Sequence, residues 1–129
     1  MSSIITGLTT AQIAALDTAQ IAALTTEDIA AFTATQIAAL TTTQIPVLTT
    51  ASIAAFSTAQ VPYFTTAQIV ALTTAQVAAI ETADFAKLSV SQIAAIATDD
   101  IAALTTPQIV ALTTAQAGAL TSTQIANLT

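Results

Sequence analysis

Large apolar residues recur every eight positions along this chain, at 8, 16, 24 and onward to 128, without an insertion or deletion. They are Leu except at Phe32, Phe56, Phe64, Ile80 and Ile96. A second apolar series runs 5, 13, 21 and onward to 125, and is Ile except at Val61, Val77, Phe85 and Ala117. Between the two lies a polar stretch, so that the consensus octad reads Leu-Thr-Thr-Ala-Gln-Ile-Ala-Ala. No linker interrupts it, and residues 1–129 read as a single octapeptide-repeat solenoid domain.

This period excludes simple backbones. At about 100° per residue, a continuous helix would rotate its apolar stripe by about 80° per octad and face nothing. In a strand the two apolar positions, an odd number apart, would point to opposite faces. A short capped helix fits. Taking the residue after each Leu as N-cap, positions 9 to 121 are Thr, Ser or Asp in every octad except at Glu81 and Ala97. Three residues later stands Gln, or Asp28, Ser52, Asp84 or Asp100, completing a capping box. The Leu before the cap and the Ile at the fourth helical position form a hydrophobic staple. The fold class is therefore all-α, a solenoid or superhelix of very short N-capped helices, one per eight-residue repeat.

Pro46 and Pro62 sit where a helix amide should be bonded. They imply either 3₁₀-like turns or a shifted cap, and they keep a β-solenoid as the alternative. Single-turn helices are unstable alone, so neighbours must stack around one core, with three or four octads per superhelical turn. Pairs of substitutions recur sixteen residues apart, such as Pro46 with Pro62 and Asp84 with Asp100. Those pairs would face each other across a four-sided coil or stack directly in a two-octad one. The third octad position accepts Glu27, Thr43, Ser91, Asp99 and Pro107, and the seventh accepts Tyr63 and Lys87, so both read as surface. The second position, Thr in most copies but Ala34, Val90 and Ser122 in others, reads as half-buried along the seam between coils.

Composition limits function. The formal net charge is −6, and Lys87 is the only basic residue. Neither phosphate neutralisation nor attraction to anionic headgroups is available, so nucleic acid is excluded as a partner. Apolar runs of four or five residues, such as 69–72, are far short of the ~20 of a membrane-spanning helix. The first residues have neither a basic nor an apolar region of the kind a cleaved signal needs. Cys and His are absent, so no nucleophile–base pair can be drawn. The expectation is no enzyme, no catalytic, metal or cofactor-binding residue, and no cofactor.

The acids are Asp17, Glu27, Asp28, Glu81, Asp84, Asp99 and Asp100. Capping and dipole complementarity account for most of them. A hard-cation site would need Asp84 and Asp100 to converge with Asp99 across coils. Lys87 stands at helical spacing from Asp84 and reads as its ion-pair partner. The Phe residues occupy ordinary Leu positions and read as core, whereas Tyr63 stands at a surface position.

The tandem Leu-Thr-Thr-Ala-Gln-Ile-Ala-Ala run resembles the Ala/Thr-rich octapeptide arrays of bacterial proteins, many of them exported or surface-associated. The resemblance implies a bacterial source and export or a cell-surface location without a cleaved N-terminal signal. It covers essentially the whole chain and bears on architecture more than activity. Residues 104–112, Leu-Thr-Thr-Pro-Gln-Ile-Val-Ala-Leu, are similar to the opening of a transcription-activator-like effector repeat. The remainder of that longer repeat is missing, so the likeness lies in helix capping.

The functional expectation is a structural repeat scaffold, in its specific form a self-assembling filament or surface-layer subunit joined end to end. Ile4, Ile5 and Leu8 continue the apolar series at one end, and the last octad carries a full staple pair and no charge at the other. Solenoid ends left apolar in this way stack head to tail into open fibres. The alternative is a binding surface for a repetitive ligand, ice or a polysaccharide, through arrays of Thr.

Overall fold

Each octad closes on itself before it packs on anything else. Thr65 is extended, with φ −77° and ψ 161°, and its hydroxyl accepts a hydrogen bond from the Gln68 amide. The Gln68 side-chain oxygen accepts in turn from the Thr65 amide at 2.9 Å. The helix Thr66–Ala71 follows, and it stops at Leu72, again extended, with φ −63° and ψ 141°. Two consecutive extended residues, the closing Leu72 and the next cap Thr73, make this corner, and extended residues close most of the other helices as well. No residue in the described part of the chain has a positive φ, so the corners do not call on glycine.

The computed structural model describes residues 5–128. Among them are thirteen α-helices of four to six residues and two 3₁₀ turns, and no strand. The β-solenoid alternative is thereby excluded. The 3₁₀ turns, Ile45–Val47 and Val61–Tyr63, are the two octads that carry Pro46 and Pro62. Their caps are not displaced. Thr41 and Gln44 still exchange both capping-box bonds, as do Ser57 and Gln60. Proline removes one helical amide, and the turn tightens to i→i+3 bonding, as from the Tyr63 amide to the Gln60 carbonyl.

Stacking sets the superhelix. Thr10–Ala15 packs on Ala34–Ala39, Thr66–Ala71 on Val90–Ala95, and Thr82–Phe85 on Thr106–Ala111. The partners are 24 residues apart in each case, so three octads make one turn of a three-sided coil. Substitutions sixteen residues apart thus neither stack nor face each other across a four-sided coil. The Ile series lines the interior, with Ile13, Ile21, Ile29, Ile37, Ile45 and Ile93 fully inaccessible. The Leu series fills the corners, and both belong to one continuous core from Ile5 to Leu104.

Glutamine stitches the turns together. The Gln68 amide nitrogen donates to the Ile37 carbonyl at 2.7 Å and the Leu40 carbonyl at 2.8 Å. Gln36, Gln44, Gln60, Gln76, Gln92, Gln108, Gln116 and Gln124 do the same at the same offsets of 31 and 28 residues. One side chain thus satisfies an orphan amide at its own helix start and two carbonyls at the helix end beneath. All nine of these glutamines are buried.

Candidate functional site

Three surfaces outside the core could carry function: the exposed threonines, the two end faces, and the octads whose fourth residue is acidic. The first departs from expectation. Thr10, Thr18, Thr26, Thr42, Thr50 and Thr58 at the second octad position are exposed, and so are Thr66, Thr74 and Thr82. Val90 is 47% exposed in the same place. The seam between coils is closed by glutamine from the fourth position instead, which leaves the second-position side chain facing outward. With a 24-residue turn, these residues align in columns, one of which reads Thr26, Thr50, Thr74, Thr98 and Ser122.

The end faces differ from the middle in what their polar and apolar groups meet. Gln12 and Gln20 keep their capping boxes but are exposed, since the described residues place no turn beneath them. At the other end the last glutamine, Gln124, reaches Ile93 and Ile96. Among the described residues, no glutamine reaches the carbonyls of Ile109 and Leu112. Leu112, Leu120 and Leu128 are only partly buried, and Ile125 is 54% exposed. Ile4, expected to extend the apolar series at the start, lies outside the described residues.

The acids divide in two. Asp17 caps the helix Thr18–Ala22, its carboxylate accepting from the Gln20 amide at 2.8 Å. Asp28 completes the capping box of Thr25. Glu27 and Asp99 are exposed first-turn acids. Asp84 and Asp100 are different: each is 3% exposed, and the Oδ2 atom of each lacks a hydrogen-bond partner. Burial pushes the Asp84 carboxyl up from 3.8 to about 6, and Glu81 adds to the rise. Burial raises that of Asp100 as well, with Asp99 contributing. Lys87 is exposed and does not partner the buried Asp84 oxygen, so the expected ion pair does not form there. Nor do Asp84, Asp99 and Asp100 converge: no cluster of three potential metal ligands occurs among the described residues.

A family model described as the ALTTAQ repeat matches residues 2–26, 23–58, 46–74, 77–114 and 93–129. The chain belongs to the ALTTAQ repeat family. No curated protein and no solved structure matches it. The six residues that give the family its description stand, for example, at 71–76. They run from the end of one helix, through the corner, to the glutamine of the next, and so contain the corner and the stitch together.

The phenylalanines of the ALTTAQ array are core. Phe32 and Phe56 occupy successive levels of one corner with ring centroids 6.4 Å apart, and Phe56 meets Phe64 edge-on at 4.9 Å. Beside them is an apolar cavity of about 20 Å³ lined by residues including Ile53, Phe56, Phe64 and Leu72. That volume holds little more than one water, and the apolar lining offers a water no partners. Tyr63 is 51% exposed.

The inter-turn role of glutamine is the feature sequence reasoning missed. A signal was present. A capping box works with Glu as well as Gln, yet Glu never occupies the fourth position. Only the amide can also donate.

Proposed function

We propose that this chain is a non-enzymatic structural scaffold that extends by end-to-end stacking of ALTTAQ octads, here from a second copy. The unequal ends support this reading. One end carries exposed glutamines, Gln12 and Gln20, of the kind that donate to helix-end carbonyls in most interior turns. The other carries carbonyls of the kind that accept, beside partly uncovered Leu112, Leu120 and Leu128. Donor face and acceptor face are complementary but not identical, so contact between copies is heterologous and propagates. Assembly of this type suits the exported or surface location of the bacterial arrays that the repeat resembles.

Sedimentation and electron microscopy of the purified chain test it. Concentration-dependent growth into unbranched filaments is the expected result. Ile125→Asp, which places a charge on the acceptor face, should shift the population to monomers without loss of helical signal. A strictly monomeric chain at high concentration overturns the reading.

A second reading is favoured by the outward threonines. Columns of second-position hydroxyls suit a regular ligand such as ice or a polysaccharide. Thermal hysteresis or glycan binding, abolished by changing Thr66, Thr74 and Thr82 to bulky residues, is what this reading requires. Failure in both assays rejects it.

A further inference from the structure

Three interior octads have no glutamine at the fourth position: Ser52 stands in one and bonds only with Thr49, and the other two lack the stitch in the same way as each other. At the fourth position, Asp84 and Asp100 replace the glutamine, and their N-caps, Glu81 and Ala97, make no side-chain cap bond. The repeat offsets from Asp84 fall on the carbonyls of Ile53 and Phe56, and those from Asp100 on Ile69 and Leu72. No glutamine serves these four carbonyls. An ionised carboxylate cannot donate to them; a protonated one has an O–H that can. Each carboxyl is buried, and each has an oxygen without a partner.

We propose that Asp84 and Asp100 form a pair of acid-dependent stitches, which close their turns of the solenoid by donating from a protonated carboxyl and loosen them on ionisation. Nothing nearby compensates the charge. The helix Thr106–Ala111 packed on Asp84, and octads 49–56, 73–80 and 89–96, contain no titratable side chain. Octad 57–64 has only the half-exposed Tyr63. On its own octad are Glu81, which disfavours ionisation, and exposed Lys87. Around Asp100, the helices Thr74–Ala79 and Ser122–Ala126 and octads 65–72, 89–96 and 105–112 contain none; Asp99 is its only charged neighbour.

The direction of the effect follows from linkage. A carboxyl held above its unfolded value binds more protons in the folded chain than in the unfolded one. Its contribution is fully present below 3.8 and is lost as pH rises through about 6 for Asp84. The solenoid should therefore be more stable at about pH 5 than at about pH 8.

Thermal unfolding at those two values tests the inference. The unaltered chain should melt higher at about pH 5, by on the order of 5 °C. Asp84→Asn combined with Asp100→Asn, which donates at any pH, should abolish the difference. Glu27→Gln, an exposed acid elsewhere, should leave it intact. If the asparagine variant does not fold, Asp84→Gln with Asp100→Gln restores the repeat consensus and serves instead. Carboxyl-carbon NMR titration of the unaltered chain should place both midpoints above those of the exposed acids. An unaltered chain no more stable at the lower pH, a difference that survives in the double variant, or two ordinary midpoints would each overturn the proposal.

Discussion

Two adjacent octads separate what holds this solenoid together from what closes it. In the octad of Thr74–Ala79, the Thr73 hydroxyl caps, Gln76 completes the box, and its amide donates to the carbonyls of Ile45 and Leu48. In the next, Glu81 makes no side-chain cap bond, Asp84 leaves Oδ2 unpaired, and the helix Thr82–Phe85 is shorter. Yet Val77 and Phe85 are equally inaccessible inside. The apolar series decides where each helix lies, and the polar residues decide whether its ends are satisfied. The repeat survives the loss of a stitch where the core stays full.

If that division is right, interior truncations should cost most and should cost alike in both kinds of octad. Phe85→Ala in the unstitched octad and Ile69→Ala in a stitched one should each destabilise by about 2–5 kcal/mol in urea unfolding. A much smaller loss at Phe85 would mean that the acidic octads are already loose inside.

Next in size is the stitch itself. Gln76→Ala strands two carbonyls and a cap amide and should cost about 1–3 kcal/mol. Gln12→Ala, at an end where only the box is lost, should cost about 0.5 kcal/mol. Equal losses at the two sites would refute the inter-turn role.

Adding a cap where one is missing approaches the comparison from the other side. Ala97→Thr should stabilise by about 1 kcal/mol, because Ala97 already has the extended cap backbone, with φ −62° and ψ 148°. No gain would mean that the acidic octads cannot use the ordinary cap. The smallest effect is expected at Gly118, inside the helix Thr114–Ala119. A Cβ there meets nothing within 4 Å, so Gly118→Ala should stabilise by about 0.5–1 kcal/mol.

Much of this was legible because the governing interactions are local. Cap, box and staple span four or five residues, so Thr65, Gln68 and Ile69 announce their helix without reference to the rest of the chain. Pro46 and Pro62 announced irregular turns for the same reason. Asp84 and Asp100 were visible as departures from Gln but read as ordinary first-turn acids. Their burial comes from a turn of the coil about thirty residues away. The second-position threonines were misplaced for a related cause. Their tolerance of Val90 suggested a seam, but the seam was already filled by Gln from the fourth position, and Val90 is largely exposed.

The sequence by itself determined the unit: an eight-residue helix-and-corner whose two apolar positions must share a core and whose first polar residue must cap. Hydrogen bonding and sterics within a few residues suffice for that. Only the tertiary structure decided that three units close a turn, that the glutamine amide reaches the helix ends beneath, and that the two aspartates lose their solvent. Those outcomes depend on the angle at which one octad meets the next. Small dihedral preferences at two extended residues set that angle, and stacking selects it by burying Ile and Leu while leaving no helix-end carbonyl of a stitched turn without a donor.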